Sequence, residues 1–174
     1  MATFDPILWH TRAKTRCERA VKRGAKPKLA KLDRKRSDNA IVNITTLVSW
    51  CETKGIVVTF CRRKNGIFYP ATKEIKISCR MSPENQLYIM LHECGHFLVG
   101  DKEKGQRFGM GYSQVFTPNA VRTVHHKIDI LDEELEAWHR GLKLASRIGL
   151  VIDKERFDKM KTMMINSYIH WAAR

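Results

Sequence analysis

No stretch of the sequence approaches the roughly 18 consecutive apolar residues that a membrane span needs; the longest apolar runs lie near Ile56–Phe60 and Leu87–Leu91. A transmembrane reading is excluded on that count. The five cysteines are an odd set without a CxxC pair, in a chain too long to need staples, so they are expected as reduced thiols. Only five prolines and ten glycines occur in 174 residues, which excludes collagen-like and low-complexity classes. Pro6 and His10 interrupt the segment where a secretory signal would be unbroken and apolar, so the expected location is cytoplasmic. What is present is 43% hydrophobic, 9% aromatic and 29% charged residues, the composition of one globular domain with a real core. Acidic residues are scarce: 18 against 32 Lys and Arg, for a net charge of +14 and a pI near 9.8.

Most of that excess lies between Arg12 and Arg36, where twelve basic residues face only Glu18 and Asp33. Asp5 as cap, Pro6 at the first helical position, an apolar stripe of Trp9, Ala13, Cys17 and Ala20/Val21, and Gly24 as terminator predict a basic helix. From Ala25 to Arg36 the pattern predicts a weak helix or a solvated linker. Residues 1–36 are thus an arm and 37–174 the domain. Such an arm suits an acidic partner, nucleic acid first, through salt-dependent phosphate contacts. The plainer alternatives are a solvated charged face or a surface for an acidic protein. Aromatics are not interleaved with the charges, so base stacking is not suggested.

Ser37 or Asp38 can cap a helix to about Thr53, with Ile41, Ile44, Leu47/Val48 and Cys51 on one face and Gly55 beyond its end. Strands are expected at Ile56–Cys61, Ile67–Tyr69 and Glu74–Cys79, with Asn65-Gly66 as a hairpin signal and basic Arg62, Arg63 and Lys64 at its tip. The expected sheet is small and mostly antiparallel. Ser82-Pro83 then opens a helix that buries Leu87, Met90, Leu91, Cys94 and Leu98. The fold class is α+β.

That helix carries His92-Glu93-Cys94-Gly95-His96, an HExxH motif. Residues four apart on a helix lie on one face, so His92 and His96 can point two imidazole nitrogens at one metal, usually zinc. Glu93 falls on the adjoining side, where the general base of a hydrolase belongs. Cys94 turns to the core, and Gly95 permits a close approach of another backbone.

A catalytic zinc needs a third protein ligand. The metzincin extension is excluded by Val99 and Lys102, and a deformylase-like cysteine lacks its glycine context at Cys51 and Cys79. Asp132-Glu133-Glu134-Leu135-Glu136-Ala137-Trp138 is expected to open a helix with the stripe Leu131, Leu135, Trp138, Leu142, Ala145 and Ile148. Glu134 can border its buried face, whereas Glu133 and Glu136 are expected to face solvent. Acids in a first turn also simply favour the helix dipole. His125, His126 and His139 are rival ligands.

The order of these parts resembles the minimal gluzincin metallopeptidases, most closely the ImmA/IrrE-like group, over about Asp38–Gly149. The resemblance implies a minimal zincin-like domain, Zn2+ as cofactor and cleavage of a protein substrate. It selects Glu134 as third ligand, with Ala137 matching three residues on and Trp138 departing from the small polar residue expected next. That departure leaves Asp129, Asp132 or a backbone carbonyl to orient a ligating histidine. The resemblance also implies that substrate lies against an edge strand at Ile75–Ser78. A basic arm beside HExxH is similar to the SprT-like proteases, which use a third histidine instead.

The expected function is therefore a zinc metalloendopeptidase with ligands His92, His96 and Glu134 and general base Glu93. His125, His126 and Tyr112 are candidate oxyanion donors within a glycine-rich loop spanning 100–130. The alternatives are a non-catalytic nucleic-acid- or protein-binding protein on a zincin scaffold, and hydrolysis of a small amide. Asp153–Trp171 predicts a last helix with Phe157, Met160, Met164, Tyr168 and Trp171 on one face.

Overall fold

The computed structural model describes residues 27–62, 66–100, 106–108 and 123–173, with side chains from Lys35 onward. The expected helix over Asp5–Gly24, Tyr112 and most of the glycine-rich segment lie outside the described residues. The architecture is α+β, with four long helices and a three-stranded sheet among the described residues. Chain contacts divide it into two compact units, Met1–Met90 and Leu91–Arg174. No helix among the described residues is long and apolar enough to cross a membrane.

In the first unit, α1 runs from Pro27 to Thr53 without a break. Ser37 and Asp38 are therefore interior residues, not caps, and the stretch expected as weak helix or linker continues into the core helix. The downstream apolar spacing is as expected: Ile41, Ile44, Leu47 and Cys51 are all buried. Gly55 ends the helix at a φ of +70°, which a glycine adopts without a Cβ clash.

β1 (Val57–Cys61), β2 (Ile67–Tyr69) and β3 (Glu74–Ser78) lie in the order β1-β3-β2. β1 pairs parallel with β3 and β2 pairs antiparallel with it, so the sheet is mixed rather than mostly antiparallel. The Asn65-Gly66 signal does not join two paired strands: β3 lies between β1 and β2. The tight connection comes later, where Lys73 at φ 48° donates its backbone N–H to the Pro70 carbonyl. Ile75 and Ile77 explain the arrangement, because both are fully buried and a central strand covers more apolar surface than an edge. Val58 and Phe68 register with Ile75, and Phe60 with Ile77, giving one apolar face. On the other, Thr59 donates to Glu74 Oε1, and Lys76 meets both Glu74 and the Tyr69 ring.

β3 is thus not the edge strand expected to receive a substrate. Its Glu74–Lys76 span is paired on both sides, and the Ser78 carbonyl accepts from Gln86 Nε2 at 2.7 Å. That bond holds the turn into α2 (Pro83–Val99), where the Ser82 hydroxyl accepts the Asn85 N–H as the cap expected of it.

The second unit contains the end of α2, then α3 (Val124–Arg147) and α4 (Lys154–Ala172). α3 starts at Thr123, whose side chain accepts the His126 N–H, and not at Asp132. Asp132–Glu136 consequently sit in mid-helix, where the first-turn dipole explanation does not apply. The buried stripe is also rotated from the expected one. It runs through His126, Ile130, Glu133, Glu134, Ala137, Trp138, Gly141, Leu144 and Ala145, while Leu135 is exposed. α4 begins at its Asp153 cap and buries Phe157, Met160 and Ile165; Trp171 at its far end is 36% exposed.

Candidate metal centre

Two helices make the site, and small residues let them approach. A Cβ built on Gly95 of α2 would fall inside the Ala137 carbonyl of α3, and one on Gly141 would fall inside the Leu91 carbonyl. The close backbone approach expected at Gly95 is therefore real, and Ala137 and Gly141, four apart on α3, are its counterparts. This contact brings the HExxH turn against the turn carrying Glu133 and Glu134.

His92, Glu93 and His96 are all buried, and so are Glu133 and Glu134. His92 Nε2 lies 3.2 Å from His96 Nε2. Glu134 presents Oε2 at 3.1 Å from His92 Nε2 and Oε1 at 3.4 Å from His96 Nε2. A tetrahedral ion with ligand bonds of 2.0–2.1 Å has its donors about 3.3–3.4 Å apart. The two imidazole nitrogens lie near that spacing and each meets a different oxygen of Glu134, so the carboxylate faces the pair; two imidazoles with a carboxylate form a donor set suited to a divalent ion. His92, His96 and Glu134 can hold a metal ion. Three protein ligands leave a fourth tetrahedral position for another group.

Burial opposes a charged His96 imidazole, but the hydrogen bond to Glu133, the bond and charge of Glu134 and the charge of Glu93 raise its pKa to about 9. Burial likewise opposes ionisation of Glu134, and the hydrogen bonds and charges of His92 and His96 outweigh it, holding the carboxyl well below the usual range. Without an ion, a proton supplies the positive charge that this carboxylate requires.

The surrounding contacts orient the donors. His96 Nδ1 meets Glu133 Oε1 at 3.3 Å, which leaves Nε2 directed at the candidate ion position. Glu133, expected toward solvent, is 1% exposed and supplies this bond in place of Asp129, Asp132 or a backbone carbonyl. The signal was present in the small residues Ala137, Gly141 and Ala145 at four-residue spacing, which mark the close-packed face that Glu133 borders. Trp138, the departure from the family pattern, stacks on His92 with ring centroids 4.5 Å apart and planes 25° apart. It fixes that ring by packing, while His92 Nδ1 has no hydrogen-bond partner among the described residues. Trp138 is in turn wedged by the edge of Phe157 at 5.3 Å.

The rival ligands fall elsewhere. His139 is exposed and 4.0 Å from Glu136, and His125 is exposed in the first turn of α3. His126 is buried near Trp171, eight residues before Glu134 and so about 12 Å away along the helix axis. Cys94 is core, as expected, and neither Cys51 nor Cys79 joins the donor group. Glu136 is half-buried and held below the usual carboxylate range by Arg140, whose guanidinium also donates to the Leu98 carbonyl at the end of α2.

Compared with protein-family models, curated proteins and solved structures, the chain matches none of them.

Proposed function

We propose that the chain is a zinc-dependent metallopeptidase of the minimal gluzincin type, ImmA/IrrE-like, acting on a protein substrate. The observation that carries the reading is the triangle of His92 Nε2, His96 Nε2 and a Glu134 carboxylate at 3.1–3.4 Å, beside a buried Glu93. His92, His96 and Glu134 would hold the ion. When bound there, zinc supplies Lewis acidity that polarises a carbonyl and lowers the pKa of water. Glu93 is the general base: its carboxylate takes a proton from the attacking water and returns it to the leaving amine. Glu133 and Trp138 hold the two imidazoles in place throughout.

Glu93→Gln tests the reading, because the amide keeps the size of the side chain but cannot take the proton. Zinc-loaded wild type should cleave members of a quenched peptide library, and the variant should keep its zinc and lose cleavage by a factor of about 100 or more. Cleavage at the wild-type rate by Glu93→Gln contradicts the assignment. Zinc bound by a wild type that cleaves nothing points instead to a binding protein on the same scaffold.

A further inference from the structure

The positive charge is segregated along the chain. Residues 1–90 hold nineteen basic and seven acidic side chains, whereas 91–174 hold thirteen and eleven. Within the first unit, α1 is itself divided. Lys28, Lys31, Arg34, Lys35 and Arg36 fall in its first ten residues, and no basic residue occurs from Ser37 to Thr53. The second part is fixed in the core by Ala40, Ile41, Ile44, Leu47 and Cys51. Because the helix is unbroken, the basic part continues directly from an anchored element.

Helical phase decides which way the extension is usable. At 3.6 residues per turn, register positions 28, 31 and 35 centre about 180° from the buried stripe of the same helix. Further along, Val42, Thr46 and Ser49 share that phase and are exposed, as is Lys35 itself. The three lysine positions thus form a row about 10 Å long on the face turned from the core.

We propose that the N-terminal part of α1 binds the phosphate backbone of a nucleic-acid duplex through Lys28, Lys31 and Lys35, without reading base sequence. A duplex presents the dense, regular negative charge that such a row matches. Residues 27–39 contain no aromatic residue, so the stacking platform of a single-strand binder is missing. An interfacial membrane helix needs a broad apolar face to insert; the large apolar residues in that stretch are Leu29 and Leu32 alone, with Leu29 in phase with the buried stripe and Leu32 on its flank, too few to form such a face. The proposal is independent of the metal site and stands or falls separately from it.

The test uses the full chain and a labelled mixed-sequence duplex of about 20 base pairs, as DNA and as RNA, titrated by anisotropy between about 50 and 200 mM salt. Lys28→Gln/Lys31→Gln/Lys35→Gln should weaken binding at least about tenfold and lower the salt slope by about two to three units, at about 0.9 per lost phosphate contact. The triple arginine variant should bind as wild type, which separates lost charge from lost folding. Lys154→Gln/Lys159→Gln/Lys161→Gln on α4 should change neither affinity nor slope. Preference for DNA or for RNA names the source of the duplex. Wild-type affinity and slope in the glutamine variant overturn the proposal, as does binding to poly-glutamate or anionic vesicles in preference to either duplex. Zinc content should be the same in all of these variants.

Discussion

Glu133 Oε1 lies 3.3 Å from His96 Nδ1, in a contact where the carboxylate is 1% exposed. The bond holds the proton on Nδ1 and leaves Nε2 as the donor aimed at Glu134 and His92. Glu133→Ala should therefore lower zinc affinity by about 10–100-fold, with Glu133→Gln losing less because its amide oxygen still accepts from Nδ1. Competition against a chelator of known affinity measures this. Equal zinc affinity in Glu133→Ala and wild type would remove Glu133 from the site.

Gly95 and Gly141 are the positions where the second unit has no space. Gly95→Ala should force α2 and α3 apart at Ala137, because the obstructing atoms are backbone and cannot rotate away. The expected cost is about 1–3 kcal/mol or more, read as a lower urea midpoint with an unchanged slope, and zinc affinity should fall with it. A fully stable Gly95→Ala with normal zinc binding would contradict the packing described.

Trp138 can be divided into packing and ring stacking. Trp138→Ala should destabilise by about 3–5 kcal/mol, since it removes a buried ring between His92 and Phe157. Trp138→Phe should keep most of the stacking and most of the zinc affinity. Equal loss in both variants would mean that the indole does something other than pack.

The metal-free protein should show an unusual pH profile. His96 has a folded pKa raised from 6.5 to about 9, so its contribution to stability is complete below pH 6.5 and is lost as pH rises through about 9. Glu134 has a folded pKa lowered from 4.5, so its contribution is present above pH 4.5 and is lost as pH falls through the folded value. With a chelator present, these two groups favour stability between about pH 4.5 and 6.5, with a decline toward pH 9. With zinc, the decline should shrink or reverse, because the ion binds the deprotonated imidazole. Melting temperatures across pH, with and without zinc, test the sign. An apo protein that gains stability from pH 6.5 to 9 would contradict the charge arrangement of the site.

Much of this was legible in the sequence where spacing acts locally. The HExxH helix, its Ser82 cap and the core face of α1 from Ile41 to Cys51 follow from residues a few positions apart, whereas spacing left Glu134 among rival histidines and only the family resemblance selected it. Contacts between distant segments were not legible. Asn65-Gly66 resembles a hairpin turn, but the burial demanded by Ile75 and Ile77 puts β3 between the strands it seemed to join. Centring the expected stripe of α3 on its leucines rotated it from the buried face and turned Glu133 outward. The apolar Leu131 and Leu135 misled there, because the tight face of α3 is built from alanine and glycine.

Metal content, measured by mass spectrometry on purified wild type beside His92→Ala and Glu134→Ala, tests the centre most directly. About one zinc per chain in wild type, lost in His92→Ala and weakened in Glu134→Ala, is the predicted result. Little metal in folded wild type after zinc is supplied, or equal zinc in His92→Ala, would contradict a metal centre at His92, His96 and Glu134.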